Sequence, residues 1–173
     1  MSIQISKSEK SSPNPSLYGE FRRIINYDTC MGCYTCEEVC AFIHEGKTFI
    51  KLYDAGGGLR RPVSCFHCAQ APCIYACPTG AMMRDRDGAV KVDIVKCIGC
   101  ASCLAACPFG IPEIVAPGYA IKCDLCEPLR KQGLDPACVS VCPAGAIVWG
   151  STEKIAEALR TRALKKILYT KIL

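Results

Sequence analysis

The 173-residue sequence is short of the residue types that most catalysts use: it has two histidines, His44 and His67, and one tryptophan. No serine–histidine–aspartate set and no carboxylate pair stands at a spacing that organises acid–base chemistry, so an independent hydrolase is not expected and no catalytic residue is assigned. No stretch of about 18 apolar residues is present, and none is expected to span a bilayer. The most apolar segment, residues 107–122, is interrupted by prolines. An apolar leader and a twin-arginine pair ahead of a hydrophobic run are both missing. Residues 1–20 are polar, carry serine and proline, and read as a flexible N-terminal arm. A reducing cytoplasm is the expected location, with export on a partner's signal as the other route.

Cysteine, by contrast, is abundant. Sixteen are present, far above ordinary usage. They fall into four groups of four. The first is Cys30-x2-Cys33-x2-Cys36-x3-Cys40, and the third is Cys97-x2-Cys100-x2-Cys103-x3-Cys107 followed by Pro108. The second, Cys65-x2-Cys68-x4-Cys73-x3-Cys77-Pro78, is two residues longer before its third cysteine. The fourth, Cys123-x2-Cys126-x11-Cys138-x3-Cys142-Pro143, carries a longer insertion at the same point. All four are variants of one repeat. The first and third follow the run by which bacterial two-cluster ferredoxins hold iron–sulfur cubes.

Three cysteines within about seven residues form a tight loop whose sulfurs reach three irons of one cube. The fourth lies three residues on, at the start of an expected helical turn that carries it to the other cluster of a pair. A following proline, with no amide hydrogen and a fixed φ, suits a chain that turns away there. Gly32 and Gly99 precede the second cysteines of their motifs, where a missing Cβ allows close backbone approach to the cluster. His67 and Leu125 occupy the same place in the other two.

Structural zinc also takes Cys-x2-Cys pairs, but it uses two such pairs and not a third cysteine with a Cys-x3-Cys-Pro exit. Disulfides leave the spacing unexplained. The formal charge of +5 suggests an anionic partner only while the thiols are counted as neutral. Sixteen thiolates around four cores of two positive charges each bring it to about −3, and no nucleic-acid partner is expected.

The order of the four motifs across residues 21–150 resembles the iron–sulfur subunits of the dimethyl sulfoxide reductase family and their ferredoxin-like relatives. The resemblance implies a non-catalytic electron-transfer subunit with four [4Fe-4S] clusters. It also implies a catalytic partner of the molybdenum- or tungsten-pterin type, such as an aldehyde or formate oxidiser, together with a further electron carrier or flavoprotein subunit. Partnership with a carbon monoxide dehydrogenase or hydrogenase is the alternative within this class, and a structural zinc protein the alternative outside it. Carried onto these positions, Cys30, Cys33, Cys36 and Cys142 hold one cluster, and Cys123, Cys126, Cys138 and Cys40 its partner. Cys65, Cys68, Cys73 and Cys107 hold a third, and Cys97, Cys100, Cys103 and Cys77 the fourth. The departure is Ala41, where the other motifs have proline, and it bears on the turn after Cys40.

The fold class expected is α+β: two nested bacterial-ferredoxin-like [4Fe-4S] modules with a C-terminal amphipathic helix. The outer module takes residues 21–62 and 113–150, and the inner one residues 63–112. Strand character at 22–27 and 146–149 fits a closing pair for the outer module. Strands at 82–84 and 90–92 flank an Asp87-Gly88 turn in the inner one. Residues 48–53 read as an added strand. Gly56, Gly57 and Gly58, with Arg60 and Arg61 beside them, read as a mobile, solvated linker, or else as a loop that docks a partner. Residues 151–173 form a helix capped by Ser151, with Ile155, Ala156, Leu159, Ala163, Leu164, Ile167 and Leu168 on one side. The opposite face is basic: Lys154, Arg160, Arg162, Lys165, Lys166 and Lys171. Packing on the ferredoxin body is expected of the apolar side, with a partner subunit or a membrane surface as the other readings. His67 is expected to face solvent, with tuning of a nearby cluster as its alternative role.

Overall fold

A computed structural model describes residues 21–170; the N-terminal arm expected at 1–20 and the last residues of the expected helix, Lys171 included, lie outside them. In chain order the elements are β1 (Phe21–Ile25), α1 (Thr35–Ile43), β2 (Ile50–Asp54), β3 (Arg60–Ser64), α2 (Pro72–Tyr75), β4 (Met82–Arg84), β5 (Val90–Val92), α3 (Ser102–Ala106), β6 (Glu113–Val115), β7 (Tyr119–Ile121), α4 (Glu127–Lys131), α5 (Ala137–Ser140), β8 (Ile147–Ser151) and α6 (Thr152–Thr170). The class is α+β. Each sheet is a two-stranded antiparallel ribbon.

β1 pairs with β8, Phe21 opposite Ser151 and Ile25 opposite Ile147, so the ends of the ferredoxin-like body meet. β4 and β5 fall on the expected residues. Their turn is wider than the two-residue Asp87-Gly88 form: Asp85 donates its amide to the Ala89 carbonyl (2.9 Å), and its Oδ1 accepts from the Ala89 amide (2.8 Å).

Two findings change the reading of residues 48–64. The strand begins at Ile50, and it pairs with a partner, β3, that contains Arg60 and Arg61. The triple glycine is therefore the turn of a hairpin and not a linker. Ala55 N donates to Leu59 O at 2.8 Å, and Gly56 N donates to Asp54 Oδ1 at 2.7 Å. Gly56, Gly57 and Gly58 all have positive φ, which glycine adopts without Cβ strain. A second hairpin, β6–β7, was not anticipated at all.

The short helices belong to the cysteine motifs. Each of α1, α2, α3 and α5 carries the third cysteine of its motif in its first turn, and the fourth cysteine follows about one turn later. The helical turn thus starts at the third cysteine and not at the fourth. α2, α3 and α5 stop before their last cysteine, because the residue ahead of a proline is disfavoured in the helical region. With Ala41 in place of proline, α1 runs on through Cys40 to Ile43, so the chain does not turn away there. α1 packs against α5, and α2 against α3.

Cysteine dominates the core. One buried cluster joins Cys73 and Cys103 to Met82 and Val90, a second joins Cys36, Cys40 and Cys138 to Ile50 and Ile147, and a third joins Cys65 and Cys123 to Leu125 and Trp149. The side chains that bury most completely outside these sulfurs are few and mostly small, with Ile50 and Val90 the largest.

Helix α6 starts where expected, with Ser151 Oγ accepting from the Lys154 amide at 3.3 Å. It contacts β8 and β1. Ile155 is its one buried residue among those described. Leu159, Leu164, Ile167 and Leu168 stay exposed, so most of the apolar stripe is uncovered, while the head of Arg162 is buried near Gly145.

Candidate functional site

Each cysteine loop is shaped by a left-handed residue just before its second cysteine. Gly32, His67, Gly99 and Leu125 all sit there, with φ of 69°, 47°, 66° and 60°. In the two most compact loops the residue after the second cysteine is left-handed as well, Tyr34 at 63° and Ala101 at 61°. Consecutive turns of this kind curl a loop so that its side chains face one centre. Glycine has a further reason at two of these places. A Cβ on Gly99 would overlap the carbonyl of Gly118 in the β6–β7 turn, and one on Gly32 would lie 3.0 Å from the carbonyl oxygen of Arg60 in β3. The crowding comes from the inserted hairpins, each of which backs a cysteine loop.

Three cavities are each walled by four of the sixteen cysteines. Cys30, Cys33, Cys36 and Cys142 line one, with Leu52 and Ile147. Cys65, Cys68, Cys73 and Cys107 line the second, with Val90 and Pro112. Cys77, Cys97, Cys100 and Cys103 line the third, with Met82 and Ala120. In each, three cysteines of one motif meet the last cysteine of another. The remaining four, Cys40, Cys123, Cys126 and Cys138, are all buried. Burial first, and then negative charge on nearby Cys123 and Cys138, raises the pKa of both Cys40 and Cys126.

The donor set suits a cube better than a single ion. Tetrahedral zinc draws its sulfurs to about 2.3 Å of one point. Among the described residues no three histidine, cysteine or carboxylate side chains converge in that way. Twelve of the cysteines instead line three small, mostly apolar cavities, surroundings that suit an iron–sulfur cube.

Backbone amides point at the sulfurs. Phe49 N donates to Cys40 Sγ (3.2 Å), Met82 N to Cys77 Sγ (3.4 Å), Ala120 N to Cys97 Sγ (3.2 Å), Leu125 N to Cys123 Sγ (3.4 Å) and Ala146 N to Cys142 Sγ (3.2 Å). Such bonds favour sulfur carrying negative charge. Burial works the other way in the bare thiols. It pushes Cys36 and Cys126 up to about 12 and Cys73 up to about 11. These thiols are neutral until a metal displaces their protons. The exposed Cys33 and Cys100 are held below the usual thiol value by the hydroxyls of Thr35 and Ser102, at 3.3 and 3.4 Å.

Between the Cys65 set and the Cys123 set lie groups that the sequence did not single out. Lys122 is buried at 7% exposure. Its Nζ lies 3.5 Å from Cys65 Sγ and donates to the carbonyls of Cys123 (2.8 Å) and Val90. Arg23 is partly exposed along its length, but its head is enclosed, with no solvent at Nε. Its Nη2 donates to Cys65 O at 2.8 Å, and its Nη1 lies 3.8 Å from Cys138 Sγ. A cleft of about 280 Å³ between β2 and the segment before β6 reaches Lys122 and Cys123, with the Lys51–Glu113 pair on its wall.

His67 overturns its expectation. It is 5% exposed and does not face solvent. Its Nδ1 accepts from the Val90 amide at 2.9 Å, and its Nε2 has no partner among the described residues. Burial first, then Lys122 and the neighbouring arginines, hold its pKa well below the usual imidazole value. The ring braces β5 from a buried position. His44, by contrast, places Nε2 3.9 Å from Cys126 Sγ and packs edge-on against Phe49.

Comparison with known proteins agrees with this chemistry. The 4Fe-4S dicluster domain family matches residues 59–152, and a 4Fe-4S binding domain matches residues 27–43. The thiosulfate reductase electron transfer subunit of Salmonella typhi is 40% identical over 139 residues, covering 72% of this chain and 72% of that protein. A probable anaerobic dimethyl sulfoxide reductase chain of Escherichia coli K12 is 34% identical over 165 residues, covering 84% and 79%. The formate dehydrogenase iron–sulfur subunit of Haemophilus influenzae is 31% identical over 185 residues, covering 88% of this chain and 59% of that protein.

Proposed function

This chain belongs to the 4Fe-4S dicluster domain family, and from that premise we propose that it is the non-catalytic electron-transfer subunit of an oxidoreductase complex, carrying four [4Fe-4S] clusters. The observation that carries the count of four is the grouping of the cysteines: three cavities with four cysteines each, and a fourth buried set of four. The ligand sets follow that grouping. Cys30, Cys33, Cys36 and Cys142 hold one cluster and Cys40, Cys123, Cys126 and Cys138 its neighbour; Cys65, Cys68, Cys73 and Cys107 hold a third and Cys77, Cys97, Cys100 and Cys103 the fourth. Two nested modules are the architecture this implies, residues 21–62 with 113–150 around residues 63–112. The β1–β8 pairing and the packing of α1 on α5 and α2 on α3 support it.

Clusters bound there supply one-electron chemistry, cycling between 2+ and 1+ states. The protein's part is to hold and tune. Cysteine sulfurs fix the corners, amides from the strand starts bond to those sulfurs, and apolar residues such as Ile50, Met82 and Val90 exclude water. Every cysteine is committed to a cavity wall or to the buried set, which leaves no position for substrate chemistry on this chain. The catalytic partner we favour is a molybdenum- or tungsten-pterin oxidoreductase, of the formate or aldehyde type. Resemblance to a formate dehydrogenase iron–sulfur subunit supports that choice. Among the described residues no helix is long and apolar enough to cross a membrane.

Metal and sulfide analysis of the protein purified anaerobically with its bound partners tests this reading. About 16 irons and as many sulfides per chain are expected, with stoichiometric molybdenum or tungsten. Nickel alongside iron would move the partner to a carbon monoxide dehydrogenase or hydrogenase, and zinc without iron would refute the reading as a whole.

A further inference from the structure

Two cations are enclosed where the Cys65 set approaches the Cys123 set, and each touches both. Lys122 reaches Cys65 Sγ at 3.5 Å and Cys123 O at 2.8 Å. Arg23 reaches Cys65 O at 2.8 Å and Cys138 Sγ at 3.8 Å. The exposed ends of the cysteine array are different. Cys33 and Cys100 face solvent, and hydroxyls, not cations, are their recorded side-chain partners.

This contrast has an electrostatic meaning. A reduced cluster carries one more negative charge than an oxidised one, and taking that charge out of water is unfavourable. Buried clusters are therefore harder to reduce than exposed ones of the same kind, unless a positive charge is fixed beside them. Water does that work at Cys33 and Cys100. At the junction burial limits its approach to one cleft, and Lys122 and Arg23 stand in its place.

We propose that Lys122 and Arg23 are potential-setting residues, fixed positive charges that keep the two junction clusters, whose cysteines include no exposed one, reducible so that an electron crosses between the modules without a high intermediate. The inference rests on the ligand sets proposed above. It assigns both residues a role that acts through the Cys65 cluster and the Cys123–Cys138 cluster, and none at the clusters of Cys33 and Cys100. His67 belongs to the same arrangement: its Nδ1 accepts from the amide of Val90, whose carbonyl accepts from Lys122, so the imidazole braces the strand that holds the lysine.

The test is a redox titration of the full chain, followed by electron paramagnetic resonance, on wild type, Lys122→Met, Lys122→Arg and Arg23→Gln. Iron and sulfide are measured first. A wild-type chain without about 16 irons would refute the four-cluster reading itself and is recognised before any potential is compared. At full iron content, Lys122→Met and Arg23→Gln are each expected to lower the midpoint potential of one or two clusters while the others hold, and Lys122→Arg to stay close to wild type. Four unchanged potentials in both neutral variants would overturn the proposal. Should Lys122→Met lose iron, Arg23→Gln decides by the same criterion.

Discussion

Nη2 of Arg130 lies 2.6 Å from Oδ2 of Asp85, which ties α4, the helix inserted in the fourth cysteine motif, to the turn of the β4–β5 hairpin. The Arg130 side chain is 3% exposed and also meets Asp87, the carbonyls of Leu125 (3.0 Å) and Asp124 (3.2 Å), and the face of Trp149 at 5.9 Å. One guanidinium thus joins both halves of the body.

Removing those donors leaves Asp85 with the Ala89 amide and Asp87 half in water, so the loss is moderate for a buried pair. Arg130→Met is expected to cost about 2–3 kcal/mol. That appears as a fall of roughly 5–10 °C in the melting midpoint, read by circular dichroism and by loss of visible cluster absorbance. Cold, freshly purified protein should keep its full iron.

Gly99→Ala tests the hairpin that backs the third cysteine loop. The added Cβ overlaps the Gly118 carbonyl at a left-handed φ of 66°. Loss of about four of roughly sixteen irons is expected, from the set of Cys77, Cys97, Cys100 and Cys103. Gly32→Ala should do less, because its new Cβ would sit 3.0 Å from the Arg60 carbonyl oxygen and a small shift relieves it. Equal losses in the two variants would contradict the comparison.

Crossed ligation is decided by counting iron in double variants. With Cys73 and Cys107 on one cluster, Cys73→Ser with Cys107→Ser should lose no more iron than either change alone. Cys103→Ser with Cys107→Ser should lose about twice as much, since two clusters are hit. If the losses ran the other way, the ligands would follow the sequence groups.

Cluster removal should unfold this protein. Its three buried groups are each built around cysteines, with few large aliphatic side chains to replace them. Anaerobic chelation after oxidation is expected to abolish cooperative melting and near-ultraviolet dichroism together with iron. A chelated chain that kept a sharp transition would show that the aliphatic residues suffice.

The grouping of the cysteines was legible because one spacing pattern repeats four times along the chain. The four motifs, the closing strands and the β4–β5 hairpin were read within a residue or two. What escaped depended on partners far away in the chain. β6 and β7 are only three residues each, too short for an alternating pattern to declare itself, and their purpose shows only against Gly99. His67 looked like a surface histidine because nothing near it in sequence announces Lys122 or Val90. Lys122 and Arg23 were not singled out for the same reason. The stripe on α6 was visible, yet Leu159 and Leu164 remain exposed among the described residues, since a periodic pattern names a face and not what covers it.

The pairing of β1 with β8 also has a consequence for synthesis. Phe21 is made well before its partner Ser151. Until then β1 has no strand to join, and Cys36 must wait for Cys142 to complete its cavity. β4 and β5 meet within a few residues of each other, and α2 and α3 follow closely, so the central segment can close while the chain is still growing. Nascent chains would therefore acquire metal from the middle outward, and the first loop to emerge would be among the last to be sealed.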